Sequence, residues 1–335
     1  MIIFAIETSC DETAVAILMN YTILSNKIFS QSYLHRKYGG IIPEIAVKNH
    51  TKYLPYIIKI SIGKIKINVS NFSIIAVTGG PGLISGIIIG FIYAKIFALI
   101  LNKNFIIVNH LEGHTLVIKL THHILKYPYI LVLMSGGHFL IILVKKIFHY
   151  KILSQTIDDS IGEIFDKIAQ MLDLHIPGGP EIERYARNGN KLIFDFFNRF
   201  MKENTVYFSF SGLKTSIKNK ILKFKRLNKY DKFNICASFQ RIVSDMLIIK
   251  LHNIIKINKF KTKKIVLSGG VASNKYIRNK INIYAQYMKY KIYYPPINLC
   301  TDNAIMIAYT VIQKMNRVYK IKWDFVPNSK WYIKS

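Results

Sequence analysis

The segment VNHLEGHTLV, residues 108–117, sets His110 and His114 four positions apart around Glu112. On a helix, residues i and i+4 share a face with Cβ atoms roughly 5 to 6 Å apart, so both imidazoles can reach one ion. A metalloprotease of the His-Glu-x-x-His kind would carry its glutamate among the histidines as the base. Glu112 instead stands two residues from each histidine, which turns it about 200° away from both. Two histidines alone make a weak site, so a third ligand has to come from elsewhere. The stretch PPINLCTDNAIMIA offers Asp302 just before an apolar helical run, where N-capping is a second role it could fill.

Glycine suggests a further chemistry. Ten of the 18 glycines fall in five pairs, beginning at Gly39, Gly79, Gly136, Gly178 and Gly269. Three of these pairs end strand-like runs: IIAVTGG, ILVLMSGG and KIVLSGG. A strand followed by Ser/Thr-Gly-Gly gives a turn that can adopt positive φ and present bare N–H groups, which is how a backbone cradles phosphate. Three such turns predict a repeated lobe with nucleotide loops.

The acids point the same way. Of 18, the 11 residues Glu7, Asp11, Glu12, Glu112, Asp158, Asp159, Glu163, Asp166, Glu181, Glu183 and Asp302 lie in segments marked by His, Cys or glycine pairs. Capping is the competing role. Asp158 or Asp159 would open SIGEIFDKIAQML, an amphipathic helix with Ile161, Phe165, Ile168 and Leu172 on one face.

The elements that hold these residues need a large core. With 335 residues, 51% hydrophobic, and mean hydropathy +0.22, the chain can fill two lobes, which excludes a disordered protein. Cys10, Cys236 and Cys300 stand far apart, which argues against a disulfide framework and for a reducing compartment. The start, MIIFAIETSCDE, lacks a basic leader and reads as a first strand, so a cytoplasmic location is expected. Residues 83–101 imitate a membrane span, with Lys95 as their one charge and glycines at 82, 86 and 90. The strand and turn just before them favour a buried helix packed on a sheet. A formal charge of +29 invites nucleic acid, although Lys, Ile, Asn, Tyr and Phe are all residues of A/T-rich codons. Residues 214–232 concentrate that charge, with eight basic residues and one acid, Asp231.

Taken in order, ETSCDETAVAI, GGIIPEIA, NHLEGH, SGGH, DDSIGEIFDKIA, IPGGP, FSFSGLKT, SGGVASN and CTDNAIMIA resemble the tRNA N6-adenosine threonylcarbamoyltransferases of bacterial TsaD type, once labelled O-sialoglycoprotein endopeptidases. The resemblance runs from about residue 4 to 310. It implies an α/β fold of the actin/Hsp70/sugar-kinase (ASKHA) class, two lobes each with a mixed sheet flanked by helices and the nucleotide in the cleft. A first lobe over 1–129, a second over 130–300 and a helix within 301–335 returning to the first are expected. Matched motif by motif, His110, His114 and Asp302 would take one divalent metal per chain. Iron and zinc both suit two imidazoles and a carboxylate, with Fe(II) placed ahead of Zn(II). Leu133, Met134, Ser135, Gly136 and Gly137 would contact the adenylate, completed by Asp166, Gly179, Glu183 and Asn274. Asp11 is the candidate for orienting groups or accepting the amine proton. The implied reaction moves a threonylcarbamoyl group from threonylcarbamoyl-AMP to N6 of adenosine 37 in tRNAs reading codons that begin with A. The implied partners are tRNA, a same-fold paralogue of TsaB type and a small ATPase of TsaE type, with no membrane.

The chain departs from the family pattern at Phe139, where Thr is usual after Ser-Gly-Gly-His, and at Val47 and Lys48. The first could alter the substrate pocket; neither removes a ligand. Two rival readings are a metalloprotease, opposed by Glu112, and a catalytically idle subunit of the same fold, opposed by the intact ligand set. A sugar-kinase-like ATPase has no use for the histidine pair, since kinases hold magnesium with carboxylates and phosphates.

Overall fold

In the strand Ile2–Glu7 (β1), Ile3 and Ala5 face one side and Phe4 and Ile6 the other, all buried. This is the period of a strand covered on both faces. The computed structural model describes residues 1–35, 38, 40–65, 67–196, 205–315 and 323–333; Gly39 of the first glycine pair lies outside them. The chain divides into two compact units, residues 1–125, 146–149 and 295–335 in one, and 126–145 and 150–294 in the other.

In the first unit β1 joins Glu12–Met19 (β2), Thr22–Ser30 (β3), Ile74–Gly80 (β4) and Asn104–Asn109 (β5) in the order β3-β2-β1-β4-β5. β1 is antiparallel to β2 and parallel to β4. Helices Pro43–Gly63 (α1) and Ile84–Ile100 (α2) cover the face of Phe4 and Ile6 through Leu54, Ile57, Phe91 and Ala94. The opposite face, lined by Ala5, Ala14, Ala16 and Ala76, is small enough for Ala304–Met315 (α9) to lie close upon it. Within the stretch expected to return as a helix, 304–315 is α9, 323–333 has no helix or strand, and 316–322 and 334–335 lie outside the described residues.

The apolar stretch 83–101 packs as expected against the sheet. A Cβ on Gly86 would stand 2.6 Å from the Thr8 carbonyl oxygen, and one on Gly90 would run into the Thr8 hydroxyl. That hydroxyl donates to the Gly86 carbonyl at 2.9 Å. Among the described residues no helix is long and apolar enough to cross a membrane.

The second unit repeats the design. Tyr129–Met134 (β6), Phe139–Lys146 (β7), His149–Gln155 (β8), Lys264–Ser268 (β9) and Lys291–Tyr293 (β10) form a sheet in the order β10-β9-β6-β7-β8. Counted from its own first strand this is again 3-2-1-4-5, so the repeated lobe inferred from the glycine turns is present. Helices Ile161–Met171 (α4), Gly178–Ala186 (α5), Ser211–Ile221 (α6), Lys229–Asn258 (α7) and Lys275–Tyr287 (α8) belong to the same unit. Their core includes Val132, Phe165, Phe239 and Leu267.

The helix α4 buries Ile161, Phe165 and Ile168 as its periodicity predicts, but its cap differs. Ser160, not Asp158 or Asp159, closes a capping box with Glu163. The two aspartates tie segments together instead. Asp158 accepts from the Ser209 hydroxyl at 2.5 Å, the Phe210 N–H at 2.8 Å and the Ser211 hydroxyl at 2.7 Å. Asp159 pairs with Lys167 at 2.6 Å and Lys214 at 2.7 Å. Phe139 fills space beside Phe208, with ring centroids 4.3 Å apart, and Phe210, at 5.8 Å.

Partial burial works against the Asp158 charge, but the Ser209, Phe210 and Ser211 donors outweigh it and hold its pKa below the usual 3.8. A depressed carboxylate stabilises the fold above its unfolded pKa, and that contribution disappears as pH falls through the folded value. Asp158→Asn is therefore expected to lower the urea midpoint at pH 7, with the gap to the parent closing as pH falls below the ordinary aspartate range. A gap that stays constant with pH would remove this role from the charge.

Candidate functional site

Strand β5 ends at Asn109, whose side-chain oxygen accepts from the Leu111 and Glu112 N–H groups at 2.9 and 3.3 Å. That cap starts the helix His110–Leu116 (α3), with His110 at its first position and His114 a turn later. The two rings lie with centroids 4.8 Å apart, as the spacing predicts. Gly113, between them, is where α3 meets α9, since a Cβ there would stand 2.9 Å from Met306. The capping role at α9 belongs to Asn303, which accepts from the Met306 N–H at 3.0 Å. Asp302 is thereby left to face the histidines. Its Oδ1 lies 3.0 Å from His114 Nε2 and 3.5 Å from His110 Nε2. One ligand atom from each of the three side chains falls within 4.8 Å of the others.

Glu7, which the sequence marked only as one of many acids, completes the arrangement. It shares the β1 face of Ile3 and Ala5, in phase by two, and is fully buried. Its Oε2 lies 3.0 Å from His110 Nδ1 and also accepts from the Thr78 hydroxyl, while Oε1 accepts from the Ser9 N–H at 2.6 Å. The Ser9 hydroxyl is 3.0 Å from His110 Nδ1 as well. Burial alone would raise the Glu7 carboxyl, but His110 and the Ser9 donor draw it below its ordinary value. Burial likewise opposes a charged His110, yet Asp302 and Glu7 outweigh it and push its pKa up to about 9.

This donor set fits a divalent metal. Two imidazole Nε2 atoms and a carboxylate oxygen converge, and a carboxylate on the far nitrogen of the first histidine fixes that ring, as in the carboxylate–histidine–metal arrangement. His114 Nδ1 is buried without a hydrogen-bond partner. Loading an ion requires the His110 proton to leave. Glu112 lies outside this group, 3.2 Å from Lys314 Nζ, so it is not placed to act as a peptidase base. Asp11 sits in the β1–β2 turn, its carbonyl accepting from the Gln31 N–H at 3.0 Å, and is not one of the three converging side chains. Beside it, burial and then the Asp11 and Asp302 charges push the Glu12 carboxyl well above 4.5.

The residues expected to contact an adenylate all lie in the second unit. Leu133 and Met134 are buried at the end of β6, and Ser135 turns the chain, its hydroxyl accepting from the His138 N–H at 3.0 Å. Gly136 and Gly137 are exposed, neither has positive φ, and a Cβ on either would meet nothing within 4 Å. Glycine here leaves backbone bare and does not serve a left-handed turn. Gly162 lets α4 come up to this turn, where its N–H donates to Ser135 O at 3.3 Å and the Ser160 hydroxyl donates to Gly136 O. Asp166 accepts from the Gly178 N–H at 2.6 Å, holding the start of α5, where Gly179 is open. Glu183 accepts from the Lys275 N–H at 3.2 Å, and Asn274 caps α8 through the Ile277 N–H at 3.0 Å while donating to Gln240 at 2.8 Å. Glu183, Arg187, Gln240, Lys275 and Tyr276 line a cavity of about 340 Å³.

The three strand-Gly-Gly turns are not equivalent. Gly269, at φ 95°, lets β9 approach the Met134 backbone. Gly79 and Gly80 are covered by residues 325–331, with Asn328 N donating to Gly79 O at 2.9 Å. That turn is therefore not an open phosphate cradle, contrary to the expectation from its sequence.

The repeated sheet topology defines the ASKHA class of proteins. Component A of the (R)-2-hydroxyglutaryl-CoA dehydratase of Acidaminococcus fermentans has this fold, with TM-score 0.56 and 12% identity over 95% of this chain and all of that one. So does HypF of T. kodakarensis, with TM-score 0.60 and 15% identity over 94% of this chain and 48% of that one. The family model described as tRNA N6-adenosine threonylcarbamoyltransferase (TsaD) matches residues 22–309. A protein of that name from Wolbachia pipientis wMel is 43% identical over 99% of both chains, and one from Rickettsia peacockii is 42% identical over 99% of this chain and 98% of its own. The chain belongs to the TsaD family.

In chelator-treated protein, His110 is expected to keep its imidazolium to about pH 9. Glu7→Gln should bring that value down by removing one of its two carboxylates. Nitrogen-detected NMR of the imidazoles measures both, and a parent His110 titrating near 6.5 would contradict the paired geometry.

Proposed function

We propose that the chain is a transferase that moves a threonylcarbamoyl group from threonylcarbamoyl-AMP to N6 of adenosine 37 in tRNAs reading codons that begin with A, releasing AMP. The observation that carries this reading is the convergence of His110, His114 and Asp302, with Glu7 behind it, in a chain of the TsaD family. An idle binding subunit has no need of a buried, orienting carboxylate. A peptidase has no base where Glu112 stands.

The chemistry asks for an activated carbonyl, a weak aromatic amine and a leaving phosphate whose charge is held. His110, His114 and Asp302 would hold one divalent ion, Fe(II) ahead of Zn(II), which when bound supplies a positive charge to polarise a carbonyl or steady a phosphate. The open backbone at Gly136 and Gly137 suits close approach of an adenylate phosphate. Leu133, Met134, Ser135, Asp166, Gly179, Glu183 and Asn274 complete the proposed contacts, with Asp166 holding the start of α5 and Glu183 and Asn274 that of α8. Asp11 stays the candidate to orient or deprotonate the amine.

The tRNA partner suits the charge of +29. Within residues 214–232, Lys214 is engaged by Asp159 and Lys232 approaches Asp173 at 3.6 Å, whereas Lys223, Lys225 and Arg226 are exposed. A same-fold paralogue of TsaB type suits α2, which exposes Ile84, Ile88, Ile92 and Ile96 in a row one turn apart. A TsaE-type ATPase and a cytoplasmic location rest on the family resemblance and the sequence reading.

Reconstitution with threonylcarbamoyl-AMP and tRNA, read by mass spectrometry of nucleosides, tests the proposal. The parent should form N6-threonylcarbamoyladenosine. Asp302→Ala and Gly136→Val should each lose on the order of a hundredfold in rate while remaining folded. Full activity in Asp302→Ala would remove the metal from the reaction.

A further inference from the structure

Residues 323–333 contain neither helix nor strand, yet they are tightly engaged within the first unit. Trp323 stacks on Phe105 with centroids 5.4 Å apart, and its carbonyl accepts from Lys95 at 2.7 Å. Phe325 meets Trp331 at 4.9 Å. Both rings crowd Gly79, where a Cβ would stand 2.8 Å from Phe325 and 3.1 Å from Trp331. Gly80, at φ 134°, leaves no room beside the Asn328 carbonyl. The Gly82 N–H donates to Ser329 O at 3.2 Å, and Asn109 Nδ2 donates to Trp331 O at 2.5 Å.

The last bond matters because a primary amide has one donor end and one acceptor end. The Trp331 carbonyl can only accept, so it fixes the nitrogen of Asn109 toward residues 323–333. The oxygen must then face the Leu111 and Glu112 N–H groups, where it caps α3. A flipped amide would set oxygen against oxygen and leave those N–H groups facing its nitrogen. His110 is the first residue of the helix so fixed.

We propose that residues 323–333 are a strap that positions the histidine helix, anchored on the Thr78-Gly79-Gly80 turn and acting through the Trp331 carbonyl on the Asn109 side chain. Asn109 and Trp331 are positioning residues; neither is a ligand. The consequence for metal affinity rests on the proposed metal site, while the strap itself does not.

Asn109→Asp separates a strap from a simple cap. Its carboxylate still accepts from the same N–H groups, but it repels the Trp331 carbonyl and loses the bond to it. Trp331→Ala removes the anchoring ring by a second route. Hydrogen exchange by mass spectrometry should show residues 110–116 exchanging roughly tenfold faster in Asn109→Asp, with β1 and β6 peptides unchanged. Parent-like protection of 110–116 in Asn109→Asp would overturn the strap, whether or not Trp331→Ala folds. Titration with cobalt(II) alone should then find Asn109→Asp weakened roughly tenfold and His110→Ala not binding. Equal cobalt affinity in parent and Asn109→Asp would overturn the positioning role. A parent binding no better than His110→Ala would overturn the metal reading instead, with the strap still decided by exchange.

Discussion

A buried carboxylate bonded to a buried imidazole is the constraint around which the first unit is organised. Glu7 ends a strand that is otherwise covered on both faces, and its side chain is fully buried. Leaving such a group unpaired costs far more than an ordinary hydrogen bond, so its partners are obligatory. Ser9, Thr78 and His110 are those partners. With Nδ1 of His110 committed to Glu7, Nε2 is the nitrogen left to meet Asp302. Which His110 nitrogen faces Asp302 thus follows from the end of β1, two strands away from the helix that carries the histidine.

The two sheets share a strand order but differ at corresponding turns. The β4 and β9 strands both end in Ser/Thr-Gly-Gly and both use positive φ, at Gly80 and Gly269. In the first unit that turn is occupied by residues 325–331. In the second, Gly269 brings β9 against the end of β6, and the open glycines follow β6 itself. One unit carries the converging histidines and aspartate; the other carries bare backbone and helix starts held by Asp166, Glu183 and Asn274. Phe139 belongs to the packing of the second unit. It is buried against Phe208 and Phe210, so the place usually held by Thr has become part of an aromatic cluster.

What the sequence made legible was periodic or local. The i, i+4 histidines, the glycine-spaced helix of 84–100 and the apolar face of α4 each follow from spacing within one element. The group of Asp302 with the histidines was reached by chemistry, since a pair needs a third ligand. Glu7 was harder to single out. Its signal was a charged residue in phase with the buried alanine face of β1, and that face is recognised only once α9 is known to cover it. The competing capping roles fall to neighbours for a related reason: Ser160 and Asn303 each stand directly after an aspartate that could have capped, and tertiary partners claim both aspartates. The covering of Gly79 and Gly80 could not be read locally, because the residues that do it lie some 250 positions later in the chain.

The position taken by an added divalent ion is the most direct test of the proposed role of His110, His114 and Asp302. Crystals of the protein loaded with a divalent ion, measured at that ion's absorption edge, are predicted to show one anomalous peak at roughly 2.0 to 2.2 Å from His110 Nε2, His114 Nε2 and an Asp302 oxygen. Glu7 should remain on His110 Nδ1. A peak at another group of residues, or one that binds His110 through Nδ1 with Glu7 displaced, would contradict it.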